Sequence, residues 1–141
     1  MRPVVPLTVV GTQVATPVLA LVDSGCEHVL VAPWVAVDAG LDADRSDRQI
    51  LLGIGGEPVT VRFVDAQLRL HPDGGDDSEY AEWEAEVGVV KHWKPTWPAL
   101  LGQVGFMDQF TISMSRLAMR LAVDARDSFD RRYGVPFVRD R

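Results

Sequence analysis

The feature that most constrains this chain is the run Leu19-Ala20-Leu21-Val22-Asp23-Ser24-Gly25-Cys26. Apolar residues lead to one carboxylate, and the chain then breaks into a small hydroxyl residue and a glycine. A short apolar run ending in Ser-Gly predicts a buried strand that stops at a tight turn. A carboxylate at such a corner is costly unless something solvates it. The amide hydrogens of the turn and the Ser24 hydroxyl are the nearest donors. Two readings stand side by side here: Asp-Ser-Gly is a common surface-turn composition, and it also presents a carboxylate able to work on a ligand.

The rest of the sequence supplies short strands around that corner. Val4 to Val10 and Val14 to Val22, joined near Gly11-Thr12, predict an antiparallel hairpin feeding Asp23, with Pro17 interrupting its second arm. Val29 to Val31 predicts another short strand. Pro33 opens a short helix through Asp38-Ala39 with Gly40 as its stop. Leu41 to Gln49 is charged and reads as an exposed connection. Ile50 to Pro58 places Gly53, Gly55 and Gly56 around a lone Ile54, with apolar residues nearby. Glycines so spaced permit backbone angles and approaches closed to other residues, as at a hairpin tip that comes close to something. The stretch has neither the Gly-Lys-Ser/Thr ending of a phosphate loop nor the dinucleotide pattern.

Val59 to Leu70 and Trp83 to Val90 alternate as strands, separated by an acidic loop from His71 to Glu79. Lys91 to Pro98 is an irregular crossing. Ala99-Leu100-Leu101-Gly102 is again an apolar run stopped by glycine. Val104 to Asp108 predicts one or two helical turns. Phe110 to Met114 and Leu117 to Val123 alternate as strands around a Ser115-Arg116 turn. Asp124 to Tyr133 predicts a short terminal helix, with Phe129 and Tyr133 on one face.

Composition excludes several classes. A chain of 141 residues with 47% hydrophobic residues suits one domain, 1–141, with a real core. The net charge of −6 argues against a nucleic-acid partner, and the basic end Arg131, Arg132, Arg139 and Arg141 is short and offset by acids. The one cysteine permits no intrachain disulfide. No stretch approaches the roughly 20 apolar residues of a membrane helix, and no leader is evident after Met1-Arg2-Pro3. No membrane partner is therefore expected, and the cytoplasm is the simplest location.

Taken in order, Ala20-Leu21-Val22-Asp23-Ser24-Gly25, Gly53-Ile54-Gly55-Gly56 and Ala99-Leu100-Leu101-Gly102 resemble the retropepsin-like aspartic proteases, single-domain relatives of the retroviral proteases. The resemblance runs from about Val4 to about Val123 and leaves about 124–141 as a C-terminal extension. It implies a mostly β, pepsin-like or retropepsin-like closed barrel of short strands with one or two short helices. It also implies roles. Asp23 matches the catalytic aspartate, Ser24 the hydroxyl residue that braces the two catalytic loops, and Gly25 the glycine whose amide solvates the carboxylate. Gly53, Ile54, Gly55 and Gly56 match the flap tip that covers substrate. Leu101 and Gly102 match the hydrophobic-glycine element crossing behind the active-site loop. Cys26 and Glu27 depart from the family's more usual alanine and short polar residue. Cys26 is small enough to fit, and Glu27 is expected to change a substrate subsite or its charge. The acidic loop and the tail beyond Val123 are additions to the minimal pattern.

Peptide hydrolysis by carboxylates needs two of them sharing one proton, and this chain has one Asp-Ser-Gly element. Asp77-Ser78-Glu79 and Asp127-Ser128-Phe129 lack the glycine. The second carboxylate is thus expected from Asp23 of another copy in a C2 homodimer, acting on peptide or protein. The alternative is a non-catalytic peptide-binding or assembly module on the same fold. No cofactor is implied. His28, His71 and His92 show no metal-ligand spacing, and the acidic loop lacks a calcium pattern, so no metal is expected. Ser24 with His28 does not read as nucleophile and base, and Cys26 reads as a small buried hydrophobe. Trp83, Trp93 and Trp97 read as core or sheet-covering groups, or with Trp34 as pocket lining.

Overall fold

The computed structural model describes residues 2–54, 56–93 and 96–125. Strands β1 (Val4–Val10) and β2 (Thr16–Val22) form the expected antiparallel hairpin, with Val4 opposite Leu21 and Val9 opposite Thr16. Pro17 lies within β2 and faces outward. Thr16, Val18, Ala20 and Val22 point inward and are buried. Asp23 therefore continues the outward series of Leu19 and Leu21. β3 (Val29–Val31) is buried at all three residues. Helix α1 (Pro33–Ala39) begins at the proline and stops at Gly40. It buries Val35, Ala36 and Ala39 and leaves Trp34 and Val37 in solvent.

β4 (Gln49–Ile54) and the long β5 (Glu57–Leu70) form the glycine-tipped hairpin. β6 (Ala81–Val90) and β7 (Ala99–Leu101) complete the main sheet. β1, β2, β7, β3, β6 and β5 pair in that order, and β5 returns to β1, so six strands close into a barrel. β4 hangs from β5 outside the ring. Two junctions are parallel, β2 with β7 and β3 with β6. β8 (Phe110–Ser115) and β9 (Arg120–Ala125) form a separate antiparallel pair. Among the described residues, the architecture is the mostly β closed barrel with one short helix that the family resemblance implied. Among the described residues, no helix is long and apolar enough to cross a membrane.

Four local expectations change. The Leu41–Gln49 connection is not wholly exposed: it carries a 3₁₀ turn at Ala43–Arg45, Leu41 and Ala43 pack against the core, and Gln49 already belongs to β4. The stretch Val104–Asp108 forms hydrogen-bonded turns rather than a helix. Gly105 sits at φ 95°, outside the right-handed helical region, and Met107 and Asp108 donate to carbonyls five residues back, Gly102 and Gln103. Leu117 and Met119 lie in the β8–β9 turn rather than in a strand, and Leu117 is 99% exposed. Asp124 and Ala125 end β9 instead of starting a helix. The rest of the expected terminal helix lies outside the described residues.

The barrel core is aliphatic, with Leu7, Val9, Leu68, Val87 and Leu101 all but inaccessible to solvent. Phe106, also fully buried, and the half-buried Phe110 carry Trp83 between them. The indole Nε1 of Trp83 donates to Gly105 O at 2.7 Å, which satisfies its one polar atom. Trp83 thus seals the barrel, as its core reading requires. A second cluster of Leu30, Val61, Phe63 and Val90 sits under the β4–β5 hairpin, with Cys26, Trp93 and Leu100 packed against it. Removing most of a side chain from such a core loses transfer free energy and leaves a cavity. Leu68→Ala is expected to lower unfolding stability by about 2–5 kcal/mol, read as a fall in the urea midpoint. A change below about 1 kcal/mol would show that β5 is not packed as described.

Candidate active site

Asp23 is the first residue after β2, and its backbone is fixed from two sides. Its N–H donates to Leu101 O at 3.0 Å, extending the parallel β2–β7 pairing by one residue. Its own carbonyl accepts from Cys26 N–H at 3.1 Å, closing the turn. The side-chain Oδ1 accepts from Gly25 N–H at 2.9 Å. This is the solvation that the apolar approach demanded. Asp23 is half-buried, while Ser24 and Gly25 are exposed. Among the described residues the Ser24 hydroxyl makes no hydrogen bond.

Leu101 and Gly102 lie directly behind this turn. Leu101 is buried beside Val22 in the parallel register. A β-carbon on Gly102 would stand 2.3 Å from His28 O and 2.4 Å from Cys26 O. Only a glycine lets the two backbones approach so closely. The residues that follow complete the seam: Gln103 N–H donates to Cys26 O at 3.0 Å and Val104 N–H to Glu27 O at 2.8 Å. The Gln103 side chain adds a bond from Nε2 to Ser24 O at 2.9 Å. Sequence reasoning missed Gln103. Its only signal was its place directly after Leu-Leu-Gly, and nothing local ties it to a residue 79 positions earlier.

Cys26 is half-buried, with its Sγ 3.2 Å from His28 O and its side chain against the second cluster. Burial, more than the nearby Asp23 and Glu27 charges, pushes its thiol above the ordinary cysteine value, partly offset by the His28 carbonyl. Glu27 projects outward, with its carboxylate 3.9 Å from His28 Nε2. Its position beside the loop is compatible with an effect on charge at the site. His28 packs edge-on against Phe63, with ring centroids 4.9 Å apart.

The flap candidates divide into an anchored base and an open tip. At the base, Phe63 N–H donates to Arg48 O at 2.9 Å and Ser46 Oγ to Phe63 O. The Arg48 guanidinium bridges Asp65 and Glu86. Further out, Ile50, Leu52, Ile54 and Val59 rest on the same cluster that receives Cys26. Shared apolar packing thus links the hairpin to the loop that follows Asp23. At the tip, Gly53 and Gly56 have nothing within 4 Å of where a β-carbon would lie, and Gly56 turns the chain at φ 84°. Gly55 lies outside the described residues. Trp93 is half-buried against the second cluster, Trp97 is half-buried, and Trp34 is exposed on α1.

A separate groove lies elsewhere. An open groove of about 1370 Å³ runs between the start of β1, the outward face of β2 at Leu19, the acidic loop and the β8–β9 hairpin, and Asp23 does not line it. The candidate site is the Asp23 turn, where the Gly25 amide meets the carboxylate. Among the described residues, no group of three or more His, Cys, Asp or Glu is placed to hold a metal ion.

Two substitutions test this seam. Gly102→Ala forces carbonyl oxygens apart and should cost about 1–3 kcal/mol in thermal or urea unfolding, whereas Gly53→Ala meets open space and should cost far less. Equal effects would contradict the close crossing. Because the Cys26 thiol is raised, less of it is thiolate at pH 8 than in an unfolded peptide. Iodoacetamide should label native protein more slowly than urea-unfolded protein, and equal rates would overturn this placement.

Comparisons with known proteins agree with this geometry. A family model described as aspartyl protease matches residues 5–75, half of the chain, from β1 through Asp23 and the hairpin to the acidic loop. Among solved structures, the retroviral protease-like domain of Ddi1 from Leishmania major is similar at a TM-score of 0.52 and 16% identity, covering 88% of this chain and 89% of that one. The EIAV protease, solved with an inhibitor, matches at a TM-score of 0.39 and 17% identity, covering 73% of this chain and 83% of that one. A comparison with curated proteins found no match. With its Asp-Ser-Gly turn, closed barrel and matching family model, the chain belongs to the aspartyl protease family, in its retropepsin-like form.

Proposed function

We propose that this protein is an aspartic endopeptidase that hydrolyses exposed, extended peptide segments between the Asp23 carboxylates of two copies. The observation that carries this reading is the Asp23 turn itself. A carboxylate at the end of a buried strand is solvated by the Gly25 amide and left accessible beside a hydroxyl that makes no hydrogen bond among the described residues. The Gly25 bond alone is that of an ordinary Asx turn; the working reading is supported by its place, at the end of a buried strand and pinned from behind by Leu101 and Gly102.

The chemistry follows from two carboxylates sharing one proton. The ionised group takes a proton from water as the water oxygen bonds to the scissile carbonyl carbon. The protonated group gives its proton to the carbonyl oxygen. The tetrahedral species then collapses as the C–N bond breaks and a proton passes to the departing amine. Gly25 N–H holds one carboxylate oxygen in place, and in this reading the Ser24 hydroxyl braces the loop of the second copy. Ile54 and the glycines Gly53, Gly55 and Gly56 cover the extended substrate through their backbone. The pair titrates as a unit, and an acidic optimum is expected.

The test is cleavage of an unfolded protein mixture from about pH 3.5 to 8, wild type beside Asp23→Asn, with mass readout of the cut sites. Wild type should cut and Asp23→Asn should not, with folding and dimerisation nearly unchanged. Activity per chain should fall on dilution below the dimer dissociation constant. No cutting at concentrations where sedimentation shows a dimer would overturn the enzymatic reading. Peptide binding unaffected by Asp23→Asn would then favour the binding-module alternative.

A further inference from the structure

We propose that Gln103 is a positioning residue for Asp23, holding the peptide unit whose N–H solvates the carboxylate; this rests on the endopeptidase reading above. The geometry is specific. Ser24 O and Gly25 N–H belong to one planar peptide unit. At one end of that unit, Gln103 Nε2 donates to Ser24 O at 2.9 Å. At the other, Gly25 N–H donates to Asp23 Oδ1 at 2.9 Å. Because the unit is rigid, fixing the oxygen also fixes the direction of the N–H. A donor on the carbonyl also polarises the amide, which strengthens its bond to the carboxylate.

Gln103 is itself held firmly. Its backbone N–H donates to Cys26 O at 3.0 Å, and its carbonyl accepts from Asp108 N–H at 3.0 Å. Gly102 immediately before it leaves no slack between β7 and the loop. The side chain therefore works from a fixed backbone onto an otherwise exposed turn. Ser24 and Gly25 are exposed, and the other backbone bonds of the turn go to Asp23 and Cys26. Apart from Asp23 itself, Gln103 is thus the one side chain, among the described residues, hydrogen-bonded to the Ser24–Gly25 peptide.

Two substitutions separate this role from simple support of the fold. Gln103→Met keeps length and removes the donor. It should lower kcat by roughly three- to tenfold, the worth of one hydrogen bond of ordinary strength. KM should stay within about twofold and the urea midpoint should barely move. Gln103→Glu restores a donor only while the new carboxyl is protonated. Its kcat relative to wild type should be close to one at the acid end and should fall as pH rises through the ordinary carboxyl range near about 4.3. Neighbouring groups that titrate or carry charge are Asp23, Cys26, Glu27 and His28 on the loop and Asp108 after β7; a carboxylate at position 103 adds to their field, so its pH profile is read beside Gln103→Met, which removes the donor without adding charge.

An NMR readout keeps the question open to test even if no substrate is cut. The Gly25 amide proton should move upfield in Gln103→Met as its bond to Asp23 loosens, and in Gln103→Glu it should move with pH. Wild-type kcat in Gln103→Met, or a Gly25 resonance indifferent to both substitutions, overturns the proposal. A wild type that cuts nothing while the Gly25 resonance responds as expected overturns the endopeptidase reading and leaves the positioning role standing.

Discussion

The structure depends on one close crossing, where β7 runs parallel to β2 and Gly102 passes beneath the loop that follows Asp23. Carbonyls of Cys26 and His28 lie where a β-carbon would be. That contact joins segments some eighty residues apart without a side chain between them. Everything chemically relevant is referred to it. Leu101 O receives the Asp23 amide, Cys26 O and Glu27 O receive the next two amides, and the Gln103 side chain reaches Ser24. A loop built from exposed small residues would otherwise have little to hold its shape.

The same crossing explains how a carboxylate can end an apolar strand. Leu19, Leu21 and Asp23 share the outward side of β2, so the barrel interior keeps Val18, Ala20 and Val22 and stays free of charge. Asp23 receives one local amide rather than a buried cation. Around it the molecule grades from rigid to open. The barrel is aliphatic and closed, the hairpin base is pinned through Arg48 and Ser46, and Gly53 and Gly56 near the tip face open space.

The strands and the site were legible in the sequence for a common reason: both are written in short-range pattern. β-rich runs marked β1 and β2, alternation marked β5 and β6, and Pro33 with Gly40 bracketed α1 within a residue. The three glycine-bearing elements appeared in order and proved to be the turn, the hairpin tip and the crossing. The failures were also local. Val104 to Asp108 had the composition of a helix, but Gly105 at positive φ and the pull of the core on Phe106 turned it into successive tight turns. Leu117 and Met119 continued an apolar alternation that the β8–β9 turn interrupts.

By itself the sequence determined where the chain extends, where it turns and which residue carries the isolated carboxylate, because those follow from neighbours a few positions apart. Only the tertiary structure decided that β2 and β3 take parallel partners, that Cys26 shares a cluster with the hairpin, and that Gln103 holds Ser24. Parallel pairing joins strands with no hairpin between them, so no turn announces it. The Gln103 bond depends on where two distant backbones stop relative to each other, and that is set by the whole closed barrel rather than by any stretch of residues.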